Sequence, residues 1–332
     1  MRIVMAGTAG PRGWPEPGCA CASCLRLPRG HRRPTEVLVD GEVRLAYDTS
    51  GRLAGGVALG GRGRVVTAGD GSRLLYWPDP PGGAAPAEPV AHPGPFAAVL
   101  VEGPAGLAEA RRLGLAGEHT HVVMVGLDHR IRSEEELARR SALWGARAVP
   151  DGTELDTDRP PPPRPPRPRR ALLLGGSRSG KSGEAELRLA AEPRVTYVAT
   201  GPVLDDDAEW QARLRAHRER RPGHWETVET TRLAEVLGKA DAPLLVDGIG
   251  SWLATLLWEA PESVDRRCEE LVAAWREVRQ PVVAVSDEAG MGVVPATAAG
   301  RAFRDALGRL NQRLAEESEY VALVVAGRVL EF

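Results

Sequence analysis

The chain has 332 residues, 42% hydrophobic and 27% charged, which is enough apolar material for two folded domains and too much for a disordered chain. Its formal net charge of −2 argues against nucleic-acid binding through bulk positive charge. Only two of the 43 basic residues are lysine, and this bias marks Lys181 and Lys239 as candidates for positions that arginine cannot fill.

The opening stretch MRIVMAGTAG reads as a first β-strand rather than a signal peptide. No apolar run approaches the roughly 18 residues that a membrane span needs, so no membrane partner is expected and cytoplasmic residence is the default. Three of the four cysteines cluster as Cys19-Ala-Cys21-Ala-Ser-Cys24. That spacing suits metal ligation better than a disulfide framework. Short strands at Glu36–Val39, Arg73–Trp77 and Val122–Val125, with one helix near Ser133–Trp144, predict a β-rich α/β domain over residues 1–157.

Gly7-Thr-Ala, Gly13-Trp-Pro, the cysteine run and Arg33-Pro-Thr together resemble the opening of metallo-β-lactamase-fold hydrolases that carry a structural zinc on C-x-C-x2-C. The resemblance implies a fourth, histidine ligand that closes a tetrahedral site with Cys19, Cys21 and Cys24. His129 is the best match and His31 the runner-up, and three thiols left from a lost site are the alternative. The catalytic H-x-H-x-D-H of that fold is incomplete here. His119-Thr-His121 opens it, but Val123 and Met124 stand where Asp and His belong, Asp128-His129 come too late, and Gly126 holds another ligand's place. The resemblance therefore implies a truncated, degenerate metallo-β-lactamase-like α/β domain without hydrolase activity, in a scaffold, oligomerisation or regulatory role.

Seven of the ten residues Arg159–Pro168 are proline. Such a run favours polyproline II at about 3.1 Å per residue, a semi-rigid spacer. A linker over 158–170 fits better than an SH3-type ligand, because folded-looking sequence flanks it. The linker carries five arginines, whereas the segment after it has 20 basic against 26 acidic residues.

Beyond the linker, apolar runs at Ala171–Leu174, Val195–Ala199, Leu244–Asp247, Val282–Val285 and Val321–Val325 alternate with helical stretches. In the last of these, Phe303, Leu307, Leu310 and Leu314 recur at helical spacing. The pattern predicts an α/β domain over 171–332 with a mostly parallel sheet and helices on both faces.

Gly175-Gly176-Ser177-Arg178-Ser179-Gly180-Lys181-Ser182 matches G-x4-G-K-[ST] between a strand and a predicted helix, Gly183–Glu192. The glycines let backbone N–H groups turn toward phosphate oxygens, and the helix N-terminus adds positive partial charge. In such a loop Lys181 reaches the β- and γ-phosphates and Ser182 ligates Mg²⁺. The competing reading is a chance Gly-rich turn.

Asp205–Arg221 reads as an acid-started helix ended by Pro222. Trp210, Leu214 and His217 share one face of it, and neighbouring arginines bias His217 toward the neutral, nucleophilic imidazole. The same arginines suit a triphosphate. The plainer reading is a core histidine in an Arg-rich helix. Asp247 ends a later apolar strand, as a Mg²⁺-organising carboxylate should. Asp287 and Glu288 follow another strand and are expected in the same cleft, polarising an attacking hydroxyl or holding metal-bound water, unless they form a solvated turn.

The motifs GGSRSGKS (175–182), YVATG (197–201), HRERRPGHW (217–225), LLVDGIGSWL (244–253), DEAGMGVVP (287–295) and GRLNQRLA (308–315) together resemble the bifunctional adenosylcobinamide kinase / adenosylcobinamide-phosphate guanylyltransferase family of cobalamin biosynthesis. The resemblance covers 171–332 and implies a P-loop NTPase (RecA-like) fold. It implies two reactions: phosphorylation of adenosylcobinamide by ATP or GTP, then transfer of GMP from GTP through a covalent histidine adduct to adenosylcobinamide phosphate. It makes His217, Lys181, Asp247 and Glu288 catalytic candidates. Residues 175–182 with Arg218 and Arg221 become the nucleotide site, Ser182 and Asp247 the Mg²⁺ site, and a homo-oligomer is expected.

Three departures stand out. Some members carry two adjacent histidines, where this chain has Ala216 and then His217, with His224 further on. Many relatives have an Asn-Glu pair where Asp287-Glu288 stand here, and the strand ending in Asp247 is a milder variation. The rivals are a P-loop small-molecule kinase without the guanylyl step and a non-catalytic nucleotide-gated binding module.

Overall fold

The structure is a computed structural model and describes residues 1–80, 94–201 and 221–332. The chain divides into two compact units, Met1–Pro165 with Ala190–Pro193, and Pro166–Leu189 with Arg194–Phe332. The division falls inside the proline-rich run, where residues 160–168 form neither helix nor strand. Proline has no N–H to give to either.

The first unit opens with strands β1 (Arg2–Gly7), β2 (Glu36–Val39), β3 (Glu42–Tyr47), β4 (Leu53–Ala54) and β5 (Val57–Leu59). It continues with β6 (Gly63–Thr67), β7 (Arg73–Trp77), β8 (Ala98–Val101), helix α1 (Pro104–Arg112), β9 (His121–Met124), helix α2 (Glu134–Trp144) and β10 (Thr153–Asp156). One antiparallel sheet runs β10-β1-β2-β3-β4, and the other, β5-β6-β7-β8-β9, is parallel across its last three strands. Alternate residues of both sheets, including Ile3, Met5, Val37, Val39, Leu74, Tyr76 and Leu100, meet in one core. Trp77 leaves the second sheet on the other side, where its Nε1 donates to Glu109 Oε2 of α1 at 2.9 Å. All four residues of β8 are buried, as a strand covered on both faces requires. At α2 the Ser133 hydroxyl accepts from Glu136 N–H at 3.2 Å, and Gly145 (φ +62°) closes the helix. The strand expected at Val122–Val125 begins one residue earlier.

The second unit contains β11 (Arg170–Gly175), α3 (Lys181–Leu189), β12 (Thr196–Ala199), β13 (Glu226–Glu229), α4 (Leu233–Gly238) and β14 (Leu244–Asp247). Then come α5 (Ile249–Glu259), α6 (Val264–Glu277), β15 (Val282–Asp287), α7 (Ala298–Glu316), β16 (Tyr320–Val325) and β17 (Arg328–Glu331). The sheet order is β13-β12-β14-β15-β11-β16-β17, parallel except for β17. Leu172, Val246 and Ala284 face a core shared with α4 to α7. Their neighbours Leu173, Leu245 and Val285 face the opposite core, with Ala185 and Leu189 of α3. Helices thus cover both faces, and β15 separates β14 from β11. Helix α3 starts two residues before the expected Gly183, because the Gly180 carbonyl already accepts from Glu184 N–H at 3.0 Å, and it ends at Leu189 rather than Glu192.

Register decides where the site lies. Gly175 pairs with Asp287, Asp247 with Val285, and Ala199 with Asp247. The carboxyl ends of four parallel strands therefore come level at one edge of the sheet, where ligands of open α/β sheets bind.

Candidate functional site

The phosphate loop joins β11 to α3. A Cβ on Gly175 would lie 2.5 Å from Ser179 Oγ and 2.6 Å from the Val324 carbonyl, so the strand can end there only with glycine. Gly180 has φ +98° and would place a Cβ 3.1 Å from Gly327 Cα. Arg178 also takes a positive φ, +57°, and its side chain is exposed. Ser179 N–H donates to the Gly176 carbonyl at 3.2 Å, and Gly327 N–H donates to the Ser179 carbonyl at 2.7 Å. The Ser179 hydroxyl is buried and has no hydrogen-bond partner among the described residues.

Lys181 is 8% exposed. Its ammonium donates to the Gly176 carbonyl at 3.0 Å and pairs with Asp287 Oδ1 at 2.8 Å. The Ser182 hydroxyl donates to Asp247 Oδ1 at 3.2 Å, and Tyr197 OH donates to Asp247 Oδ2. Burial first, and the Asp247 carboxylate second, push the Tyr197 hydroxyl well above its usual range, so it stays a donor. The Arg221 guanidinium lies 3.4 Å from the centre of the Tyr197 ring, and its NH1 donates to Thr227 Oγ1 at 3.4 Å. Ser177, Lys181, Ser182, Tyr197, Arg221, Asp247 and Asp287 are among the residues lining one cavity of about 360 Å³.

The structure sets Asp287, rather than Glu288, into this cavity. Glu288 is not among its lining residues, and its carboxylate accepts instead from Gly290 N–H at 2.9 Å. Asn311 of α7, 4% exposed, fixes the end of β15. It accepts from the Ser286 hydroxyl at 2.6 Å and donates to the Asp287 carbonyl at 3.0 Å. Tyr197 and Asn311 were not expected from sequence. Tyr197 reads as one more apolar residue of a strand, and the signal for Asn311 is a lone amide inside the stripe of Leu307, Leu310 and Leu314. His217 and Arg218 lie outside the described residues, as does the helix expected to carry them up to residue 220.

In the first unit the ligand atoms of Cys19, Cys21, Cys24 and His129 all lie within 4.8 Å of one another. His129 Nδ1 is 3.2 Å from Cys19 Sγ and 3.7 Å from Cys24 Sγ. Burial raises the Cys24 thiol, whereas the Cys24 N–H lowers Cys21. Trp14 Nε1 donates to the Ser23 hydroxyl at 3.0 Å, and that hydroxyl donates to the Ile131 carbonyl at 2.6 Å, tying the cysteine turn to the histidine loop. His31 stands apart, 2.7 Å from Glu134. Three sulfurs and one imidazole nitrogen are the donor set of a closed zinc site. Val123 and Met124 are buried in the β-sheet, and His121 is 2.8 Å from the Arg159 carbonyl.

The family model described as "Cobinamide kinase / cobinamide phosphate guanyltransferase" matches residues 171–332. The chain is 40% identical over 174 residues to the bifunctional adenosylcobalamin biosynthesis protein CobU of Salmonella typhimurium, covering 47% of this chain and 95% of that protein. It is 36% identical to the protein of the same description from Escherichia coli, with the same coverage. It is 42% identical over 165 residues to the bifunctional adenosylcobalamin biosynthesis protein CobP of Pseudomonas aeruginosa, covering 48% of this chain and 94% of that one. Among solved structures, the P4 protein from bacteriophage phi6 in complex with ADP aligns at a TM-score of 0.25 with 13% identity, over 51% of this chain and 55% of that one. The relatives are matched over nearly their whole length, and through residues 171–332 the chain belongs to the cobinamide kinase / cobinamide phosphate guanyltransferase family.

Proposed function

We infer that this chain phosphorylates adenosylcobinamide and then transfers GMP from GTP to the product, giving adenosylcobinamide-GDP and pyrophosphate in cobalamin biosynthesis. The observation that carries the reading is the convergence of Lys181, Ser182, Asp247 and Asp287 on one cavity at the carboxyl edge of the sheet. In the first reaction the acceptor hydroxyl oxygen attacks the γ-phosphorus of ATP or GTP, and the bond to the β-phosphate oxygen breaks. Asp287 suits the role of base for the hydroxyl proton, and Lys181 draws charge from the phosphates once it turns from Asp287. Ser182 and Asp247 offer the hard oxygen donors Mg²⁺ prefers, and the ion, when bound, neutralises triphosphate charge. In the second reaction an imidazole nitrogen of His217 bonds to the α-phosphorus and pyrophosphate leaves. A phosphate oxygen of the acceptor then displaces the histidine. Arg218 and Arg221 would hold the phosphates.

A cavity of about 360 Å³ is at the small end of ligand sites, so most of a corrinoid must lie outside it. The loop that follows Asp287 exposes Met291, Val293 and Val294, an apolar surface suited to that part. The experiment is incubation with GTP labelled in the α- or γ-phosphate and adenosylcobinamide, with His217→Ala in parallel. Expected are a γ-labelled cobinamide phosphate from both proteins and an α-labelled protein adduct only from the one with His217. A His217→Ala protein that still traps GMP overturns the assignment. A protein without any adduct is a plain kinase.

For the first unit we propose a degenerate metallo-β-lactamase-like domain holding one structural Zn²⁺ on Cys19, Cys21, Cys24 and His129. The two-sheet core with α1 on the outer face of the second sheet and the four converging ligand atoms support this reading. Zinc there would close the turn at Cys19–Cys24 onto the His129 loop. A homo-oligomeric cytoplasmic enzyme without nucleic-acid or membrane partners completes the proposal.

A further inference from the structure

We propose that Tyr197 is a positioning residue that holds the Asp247 carboxylate in the orientation needed for the metal and, with the other end of the same side chain, carries Arg221. The inference rests on the reading of Ser182 and Asp247 as the Mg²⁺ site. Asp247 is gripped at both oxygens, Oδ1 by the Ser182 hydroxyl at 3.2 Å and Oδ2 by the Tyr197 hydroxyl. These two donors differ in kind. The serine hydroxyl turns freely about one bond, and its lone pairs stay available to a metal while its proton remains on the carboxylate. Tyr197 is 1% exposed and packed with Leu173, Leu245 and Val285, so its ring, and with it the hydroxyl, is fixed by the core.

Of the two donors that grip the carboxylate, Tyr197 is therefore the one whose position the core sets. Hydrogen bonds of this kind to a ligating group fix its orientation and tune the metal it serves. The ring's other role is geometric. The Arg221 guanidinium stacks on it at 3.4 Å, and Arg221 is the first described residue after the stretch that contains His217. One side chain thus meets the carboxylate of the phosphoryl step and the basic segment of the guanylyl step.

Tyr197→Phe removes the hydroxyl and keeps the ring, so the core and the Arg221 stack remain. The test uses the full chain with GDP and Mn²⁺ as the probe, free Mn²⁺ being read by its electron paramagnetic resonance signal. Asp247→Asn is measured alongside. Tyr197→Phe is expected to weaken Mn²⁺ binding about tenfold. The Mg²⁺ concentration giving half-maximal phosphorylation should rise in step, with most of kcat restored at saturating Mg²⁺. If Asp247→Asn weakens Mn²⁺ and Tyr197→Phe does not, the positioning role is overturned while the metal site stands. If neither changes Mn²⁺ affinity, the metal site itself is wrong and the inference falls with it. A loss of kcat that Mg²⁺ does not restore, at unchanged Mn²⁺ affinity, would also overturn it.

Discussion

The Lys181 ammonium lies 3.0 Å from the Gly176 carbonyl and 2.8 Å from Asp287, at 8% exposure, a space fitted to a compact point charge. A planar guanidinium with a fixed fork does not fit between those two partners. Lys181→Arg should therefore lower γ-phosphoryl transfer by about 100-fold or more in single-turnover assays. Arg266→Lys, at an exposed pair with Glu270, should leave it unchanged. Asp287 should behave differently. In Asp287→Asn the triphosphate meets no competing anion at Lys181, so GTP should bind several-fold more tightly by equilibrium titration while kcat falls. Composition marked Lys181 together with Lys239, which is exposed beside Glu235, and the phosphate-loop motif chose between them, whereas the partner of Lys181 was legible only as one of two adjacent carboxylates. Nothing local distinguishes Asp287 from Glu288. The register of β15 against Gly175 does, because it turns the first into the cavity.

Helix α7 shows what periodicity reveals and what it hides. Its buried stripe of Leu307, Leu310 and Leu314 is plain in sequence and packs on the sheet, with Thr297 capping the helix at 3.1 Å from Gly300 N. Asn311 belongs to the same stripe, yet its purpose appears only once β15 is alongside. Asn311→Ala would leave the buried Ser286 hydroxyl and the Asp287 carbonyl short of partners, at a cost of about 1–3 kcal/mol. For a unit of this size that lowers the melting midpoint by about 2–4 °C per kcal/mol, readable by calorimetry. Helix α5 falls in a stretch expected to be helical but without bounds, because IGSWLATLLWE is nearly all apolar and shows no polar face to set its period. The loop between β15 and α7 is legible as a motif but not as a surface. Val293 is 94% exposed, so Val293→Asp should leave stability intact and raise KM for adenosylcobinamide, not for GTP, in steady-state kinetics.

Each of the two units has its own apolar core, one shared by the two sheets of the first, the others on the two faces of the second. The family match covers residues 171–332. Purified protein should carry about one zinc per chain by metal analysis, and Cys24→Ser should abolish it while leaving phosphoryl transfer intact. The first unit was the less legible in sequence, and the reason is range. Its β1 pairs with β10, from opposite ends of the unit, and no local pattern announces such a partner. The same feature has a consequence for the second unit in time rather than space. Strand β11, which leads into the phosphate loop, pairs with β15 and β16, and the loop itself is braced by the N–H of Gly327 in the turn before β17. A ribosome makes β11 long before it makes any of these neighbours, and long-range strand pairing is slow once they exist. The nucleotide site is thus among the first parts of its unit to be synthesised and among the last to take shape, so a nascent chain should gain affinity for GTP only after the final hairpin has left the exit tunnel.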